Sequence, residues 1–276
     1  MAGRFARLAA YMAPEWIDQA VQELLKAKQS GKGIAPLTES YPEITLKDAY
    51  EISKRVLAKR LALGGDQRVG TKIGLTSEVV QKQLGVAEPD FGFLTQKMHL
   101  KSPASFETKG TLQPRAEAEV AFLLNETLDE GDIDFARVMN ATEALIPCIE
   151  IIDSRVLDWK IKIEDTVADN ASSLAFVTGT PLELNDKNRN AVFESLPERS
   201  MQLLKNDQIA SEGKGAACLG HPANAVIWLA KKMKEQGAPL KKGEIVLSGA
   251  FGPVIPILNG DQIEARIEGS ILFFVK

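Results

Sequence analysis

A chain of 276 residues is long for one simple domain but within reach of a single large α+β unit. Its 45% hydrophobic and 25% charged residues suit a globular enzyme with a real core, and a formal net charge of -4 gives no electrostatic reason to expect nucleic acid as a partner. Two cysteines, Cys148 and Cys218, supply no disulfide framework and fit a reducing cytoplasm, and no apolar run approaches a membrane span.

The first residues, Met1 to Pro14, carry two arginines, but their apolar run is too short and broken for a signal sequence and reads as a loosely held extension. From Pro14, the spacing of Trp16, Ile17, Ala20, Val21, Leu24 and Leu25 predicts a helix that Gly31 and Gly33 end. After a proline-bearing link, Thr45 and Asp48 form a capping box for a second helix, Leu46 to about Leu63, with Ala49, Ile52, Val56 and Leu57 on its buried side. These helices define an expected helical N-terminal subdomain, 1–66, ahead of a β-rich catalytic domain, 67–276.

Arg68 to Ser77 opens that domain as a strand. Lys72 lies on the face opposite Ile73 and Leu75, and Gly70 and Gly74 on either side remove side-chain bulk around it, leaving room for a ligand. Burial there is expected to lower the lysine's pKa. Ser77 caps a predicted short helix through Leu84. Asp90, beside Pro89, reads from its local sequence as a turn acid.

Two acidic clusters follow. In Gln113 to Leu124, Glu117 and Glu119 share one strand face, with Ala118, Val120, Phe122 and Leu124 on the other. In Cys148 to Asp153, Glu150 sits in a second short apolar run. A Glu-x-Glu pair on a strand is most often the solvent face of an edge. Embedded in core strands, such carboxylates favour protonation unless a cation offsets their repulsion and desolvation. Three oxygen ligands without Cys or His suit a hard divalent ion, so Glu117, Glu119 and Glu150 are candidate metal ligands.

Between the clusters, Asp132 to Ile146 is expected to be helical and to end at Pro147. Asp153 and Arg155 read as a structural ion pair, and Asp165 and Asp169 as acids that hold their loop. Further on, Asn206-Asp207 marks a hairpin between Met201–Lys205 and Gln208–Ala210, and Pro222 opens a helix to Gln236, with His221 serving its start. Gly249 to Pro253 is a glycine-rich turn that could border a pocket. Strands at 244–248, 263–267 and 270–275 close the chain. Neither His221 nor His99 has the partners of a hydrolase triad.

Taken in order, Lys72 to Ser77, Glu88 to Gly92, Gln113 to Glu119, Glu150 to Arg155, Asp165 to Ser172 and Leu219 to Pro222 resemble the motifs of the 2-hydroxypenta-2,4-dienoate (2-oxopent-4-enoate) hydratases of aromatic meta-cleavage catabolism. Those enzymes belong to the wider fumarylacetoacetate hydrolase-like group, and the resemblance runs from about Ile34 to Val275. It implies an α+β fold with a β-rich roll or sandwich core, a homo-oligomer, and Mg²⁺ or Mn²⁺ held by Glu117, Glu119 and Glu150. It also sets Lys72, Asp90 and Ser172 around a small 2-hydroxydienoate substrate, overruling the turn reading of Asp90, and implies a hydro-lyase that gives a 4-hydroxy-2-oxo acid. A complex with a pathway decarboxylase or aldolase is a further expectation. The chain departs from the pattern at its longer N-terminus and at Ala116, where a larger apolar residue is common. The sister decarboxylase acting on 2-oxo-3-hexenedioate (4-oxalocrotonate) is the competing activity, and a non-catalytic partner subunit of that decarboxylase is a third reading.

Overall fold

The computed structural model describes residues 13–77, 81–82, 86, 88–267 and 270–275, the last of these as backbone only. The N-terminal extension and most of the helix expected after Ser77 lie outside the described residues. Helix α1 (Trp16–Ser30) buries Ile17, Ala20, Val21, Leu24 and Ala27 on one side, and Gly31 ends it in the left-handed conformation with its N–H on the Ala27 carbonyl. A short turn, α2 (Leu37–Ser40), buries Leu37 within the proline-bearing link. Helix α3 (Leu46–Ala62) starts at the expected capping box. The Asp48 N–H donates to Thr45 Oγ1 at 3.2 Å, and the Thr45 N–H donates to the Asp48 carboxylate at 2.9 Å. These helices share a core with Val167 and Ala168 of a later helix, α5 (Ile163–Ala168), so the helical layer is fastened to a segment that borders the large sheet.

That sheet has nine strands. Its main path runs β2 (Asp90–Thr95), β1 (Arg68–Gly74), β10 (Ile245–Leu247), β4 (Arg115–Leu124), β5 (Thr142–Ile152), β6 (Ser173–Thr178) and β3 (His99–Lys101). Two short strands flank the path: β7 (Leu182–Glu183) pairs with β5, and β11 (Ile255–Pro256) with β4. A second sheet orders β13 (Ser270–Val275), β12 (Gln262–Ile267), β8 (Ser200–Lys205) and β9 (Gln208–Lys214). The β8–β9 hairpin turns at Asn206 and Asp207, both left-handed with φ of 52° and 64°, as a two-residue hairpin turn requires.

Period two sorts β4 into its two environments. Ala116, Ala118, Val120, Phe122 and Leu124 enter the main core, which also takes Met201, Leu203, Ile263 and Ala265 of the second sheet. Val226, Leu229 and Met233 of α7 (Pro222–Glu235) join them there. The other face of β4 passes from Arg115, Glu117 and Glu119 to Ala121, which packs with Ile146, Cys148, Phe176 and Leu247 in a smaller apolar cluster. One end of this inner face is therefore polar and the other greasy. The sheet curls at Asn170, just before β6, which reaches back to β2. Its amide donates to the Phe93 carbonyl at 3.0 Å and accepts the Phe93 N–H at 2.7 Å.

The expected helix from Asp132 to Ile146 is corrected. Only α4 (Phe135–Asn140) forms, and the strand β5 begins at Thr142. Both faces of β5 are buried, so its side chains form a continuous apolar run that period alone does not separate from a helix. Pro147 does not end an element. It lies between Ala144–Leu145, which pair with β7, and Cys148 onward, which pairs with β6, so no ladder bond on that side needs its missing N–H. A further short helix, α6 (Arg189–Ser195), precedes the second sheet.

Candidate metal centre and active-site cavity

Antiparallel register sets Glu117 directly opposite Glu150, Glu119 opposite Cys148, and Arg115 opposite Ile152. One carboxylate oxygen from each of Glu117, Glu119 and Glu150 can be chosen so that all three lie within 4.8 Å of one another. Glu119 and Glu150 are fully buried. Glu119 Oε2 accepts the Gly249 N–H at 2.8 Å, whereas Glu119 Oε1 and both Glu150 oxygens have no hydrogen-bond partner. Orphaned buried carboxylate oxygens converging on one point are the donor set of a hard divalent ion, so the residues present fit such an ion.

The protonation behaviour follows from the crowding. Burial, then the neighbouring Glu150, pushes the Glu117 carboxyl up to about 7. Glu119 is driven well above the usual carboxylate range by burial, Glu150 and Glu117, and Glu150 is raised chiefly by burial. Lys72, on β1, forms an ion pair with Glu150, its Nζ 3.4 Å from Oε2 and outside hydrogen-bond geometry. Burial pulls its ammonium down, but the charges of Glu150, Asp90, Glu117 and Glu119 outweigh that, and its pKa rises. The expectation of a lowered lysine pKa is thereby corrected: the carboxylates, invisible around Lys72 in the linear sequence, decide the sign.

Asp90 opens β2, almost fully buried, with Oδ1 unpartnered and Oδ2 accepting from Thr166 Oγ1 at 3.4 Å. Gly74 is required beside it, because a Cβ there would strike the Asp90 carboxylate and come within 3.4 Å of Lys72 Nζ. Gly70 has a different reason. A Cβ on it would meet the backbone of Ile245 in β10, so this glycine serves sheet packing rather than ligand space.

Ser172 ends a run of three left-handed residues, Asn170, Ala171 and Ser172, with φ of 58°, 50° and 56°. Outside glycine such a run is strained, and it sets Ser172 in the cavity lining with its hydroxyl buried and unpartnered. The cavity measures about 750 Å³, and Lys72, Asp90, Glu117 and Ser172 all line it. Glu119 and Glu150 are fully buried and outside its lining, each with an oxygen within 4.8 Å of one on Glu117.

Structural residues sort out cleanly. Asp153 does not pair with Arg155. Its carboxylate accepts the Leu112 and Gln113 N–H groups, while Arg155 pairs with Asp169. The linear proximity of Asp153 and Arg155 suggested a bond that the strand exit does not make. Asp165 accepts from Thr38, both N–H and Oγ1 at 2.9 Å, tying α5 to α2. His221 caps α7: Nδ1 accepts the Ala223 N–H at 3.0 Å, and Nε2 lies 2.9 Å from the Phe193 carbonyl. Sequence reading missed Thr166, Asn170 and the role of the Gly249 N–H. Only the last had a signal, in the glycine-rich turn 249–253, of which Ala250 to Pro253 line the cavity.

A curled mixed sheet with a three-carboxylate cluster at one end, two of its acids fully buried, defines an α+β fold with a candidate divalent-metal centre. The family model for the fumarylacetoacetate (FAA) hydrolase C-terminal region matches residues 72–273, and the chain belongs to that family. It is 44% identical to a 2-hydroxyhexa-2,4-dienoate hydratase of Comamonas testosteroni, covering 92% of this chain and 95% of that one. It is 43% identical to a 2-keto-4-pentenoate hydratase of Paraburkholderia xenovorans (strain LB400), over 94% and 93% of the two chains. Among solved structures, 4-oxalocrotonate decarboxylase from Pseudomonas putida G7, complexed with magnesium and adipate, superposes with a TM-score of 0.88 at 29% identity, covering 96% of this chain and 98% of that one. Among the described residues no helix is long and apolar enough to cross a membrane.

Proposed function

We propose that this chain is a divalent-metal-dependent hydro-lyase that adds water to 2-hydroxypenta-2,4-dienoate, the enol form of 2-keto-4-pentenoate, or to a substituted analogue. The observation that carries the reading is the convergence of Glu117, Glu119 and Glu150, with unpartnered oxygens on the latter two, next to a cavity that Lys72, Asp90 and Glu117 line. Relatives above 40% identity that are named as hydratases favour this over the decarboxylase, whose solved example stands at 29%. The intact acids and lysine likewise count against a non-catalytic subunit.

Glu117, Glu119 and Glu150 would hold Mg²⁺ or Mn²⁺. Such an ion offsets the three negative charges and acts as a Lewis acid toward the substrate's oxygens. In the overall reaction the enol proton leaves O2, C5 gains a proton, and water adds hydroxyl at C4 and hydrogen at C3. Lys72, ion-paired with Glu150 and lining the cavity, is the candidate hydrogen-bond and proton donor to substrate. Asp90 lines the cavity, has one unpartnered oxygen and a carboxyl raised by burial, and is the candidate base for the incoming water. The Ser172 hydroxyl holds substrate by a hydrogen bond.

The test is turnover by the purified chain of 2-hydroxypenta-2,4-dienoate and of 2-oxo-3-hexenedioate, before and after chelation and with Mg²⁺ restored. Loss of diene absorbance without CO₂ release, abolished by chelation and restored by the ion, is expected. CO₂ release from the diacid with no hydration of the monoacid would assign the chain to the decarboxylases.

A further inference from the structure

Arg115 is the first residue of β4 and lies two residues before Glu117. Its side chain therefore leaves the strand on the face of Glu117 and Glu119, about 7 Å along from Glu117, and it lines the cavity. The guanidinium carbon sits 4.3 Å from the centre of the Trp159 ring. Trp159 is itself pinned, its Nε1–H donating to the Gln113 carbonyl at 3.2 Å, and Gln113 is held through its N–H by Asp153 at 2.7 Å. Arg115 is thus braced by an aromatic face fixed to the strand exit.

The guanidinium's donors are unengaged. Among the described residues, Lys72 pairs with Glu150, and Lys214, on the cavity's rim, pairs with Glu198 at 2.8 Å. Arg115 has no ion pair or hydrogen bond there, and burial alone lowers its pKa, with no acid acting on it. A planar fork that is half-buried, stacked and without a carboxylate partner is built for bidentate capture of an anion. The cavity wall also carries the acids Asp90 and Glu117, so an anionic substrate gains from an unpaired cation beside them.

We propose that Arg115 receives the C1 carboxylate of the substrate, with Trp159 as the positioning residue that holds its guanidinium in place. The assignment rests on the hydratase reading, in which the substrate carries one carboxylate and the free fork has one anionic group to meet.

Steady-state kinetics on 2-hydroxypenta-2,4-dienoate, with 2-oxopentanoate and its primary amide as competing inhibitors, test it. Arg115→Gln is expected to raise KM about 10- to 100-fold with kcat little changed. Wild-type enzyme is expected to bind the acid inhibitor more tightly than the amide, and Arg115→Gln to erase most of that preference. Trp159→Leu leaves the guanidinium present but unbraced. It should raise KM for the acid about 2- to 30-fold while inhibition by the amide stays put. An acid-over-amide preference unchanged in these variants overturns the assignment even where turnover falls, since a merely structural arginine has no reason to tell the two inhibitors apart. A loss confined to 2-oxo-3-hexenedioate also overturns it, by moving Arg115 to a distal carboxylate. No hydration by wild-type enzyme would instead remove the hydratase reading, and the assignment with it.

Discussion

Glu117 and Glu150 face one another across β4 and β5, and like charges opposed in a sheet are ordinarily destabilising. Lys72 offsets part of that repulsion through Glu150, yet Glu119 Oε1 and Asp90 Oδ1 remain without partners. The two acids differ in what surrounds them. Glu119 is fully buried beside Glu117 and Glu150, while Asp90 sits across the site on β2, against Thr166 and Gly74. That difference separates an ion's ligand from a group that works on substrate. Asp90→Asn is nearly isosteric and should keep the cavity's shape. It is expected to lower kcat by about 10²–10⁴, while Mn²⁺ still raises the thermal midpoint as it does in wild type. A variant that loses the Mn²⁺ response together with activity would place Asp90 among the ligands instead of beside them.

The seam at Asn170 shows how far single elements could be read from the sequence. Helices with one apolar face were legible, α1 and α3 with their caps, because burial on one side leaves a clean 3.6-residue signature. Strand β4 was legible too, since Glu117 and Glu119 alternate with apolar residues at period two, although that pattern alone also fits the solvent face of an edge strand. Strand β5 was not, because both of its faces are buried and the alternation vanishes. The left-handed run 170–172 gave no sign at all: Ala171 and Ser172 have no intrinsic preference for positive φ, and tertiary contacts impose it. Asn170 is the member that tolerates this conformation best, and its side chain binds both the N–H and the carbonyl of Phe93. A Cβ on Gly92 would collide with the Asn170 carbonyl, which shows how closely the two segments approach. Asn170→Ala leaves two buried backbone groups unsatisfied and is expected to cost about 2–3 kcal/mol of stability. It should also lower kcat, because Ser172 loses its fixed backbone. Urea denaturation checks the first effect, and an unchanged midpoint would mean that other contacts hold the seam shut.

At the scale of the molecule, the helical layer meets the site through a cluster of charges. Lys28 at the end of α1, Arg60 near the end of α3, and Arg155 with its partner Asp169 border one small crevice next to Asn170 and Ser173. Three cations and one acid are poorly balanced there. Burial first, and then Arg60 and Arg155, lower the Lys28 pKa from 10.5 to about 7. The sign of its contribution to stability follows directly. Between about pH 7 and pH 10 the unfolded chain holds a proton on Lys28 that the folded chain has released, so stability from this group rises with pH across that window. It is lost as pH falls to 7, where the folded protein must bury the charge. Lys28→Met removes the charge and keeps the apolar stem in contact with Leu24 and Val56. The variant should therefore be more stable than wild type at about pH 6, and its advantage should shrink steadily toward about pH 10 as wild-type Lys28 becomes neutral in the fold. Denaturant midpoints measured for both proteins across that range give the answer. Parallel curves would mean that Lys28 stays charged in the folded state, and that the helical layer docks onto the Arg155 side without the electrostatic cost ascribed to it.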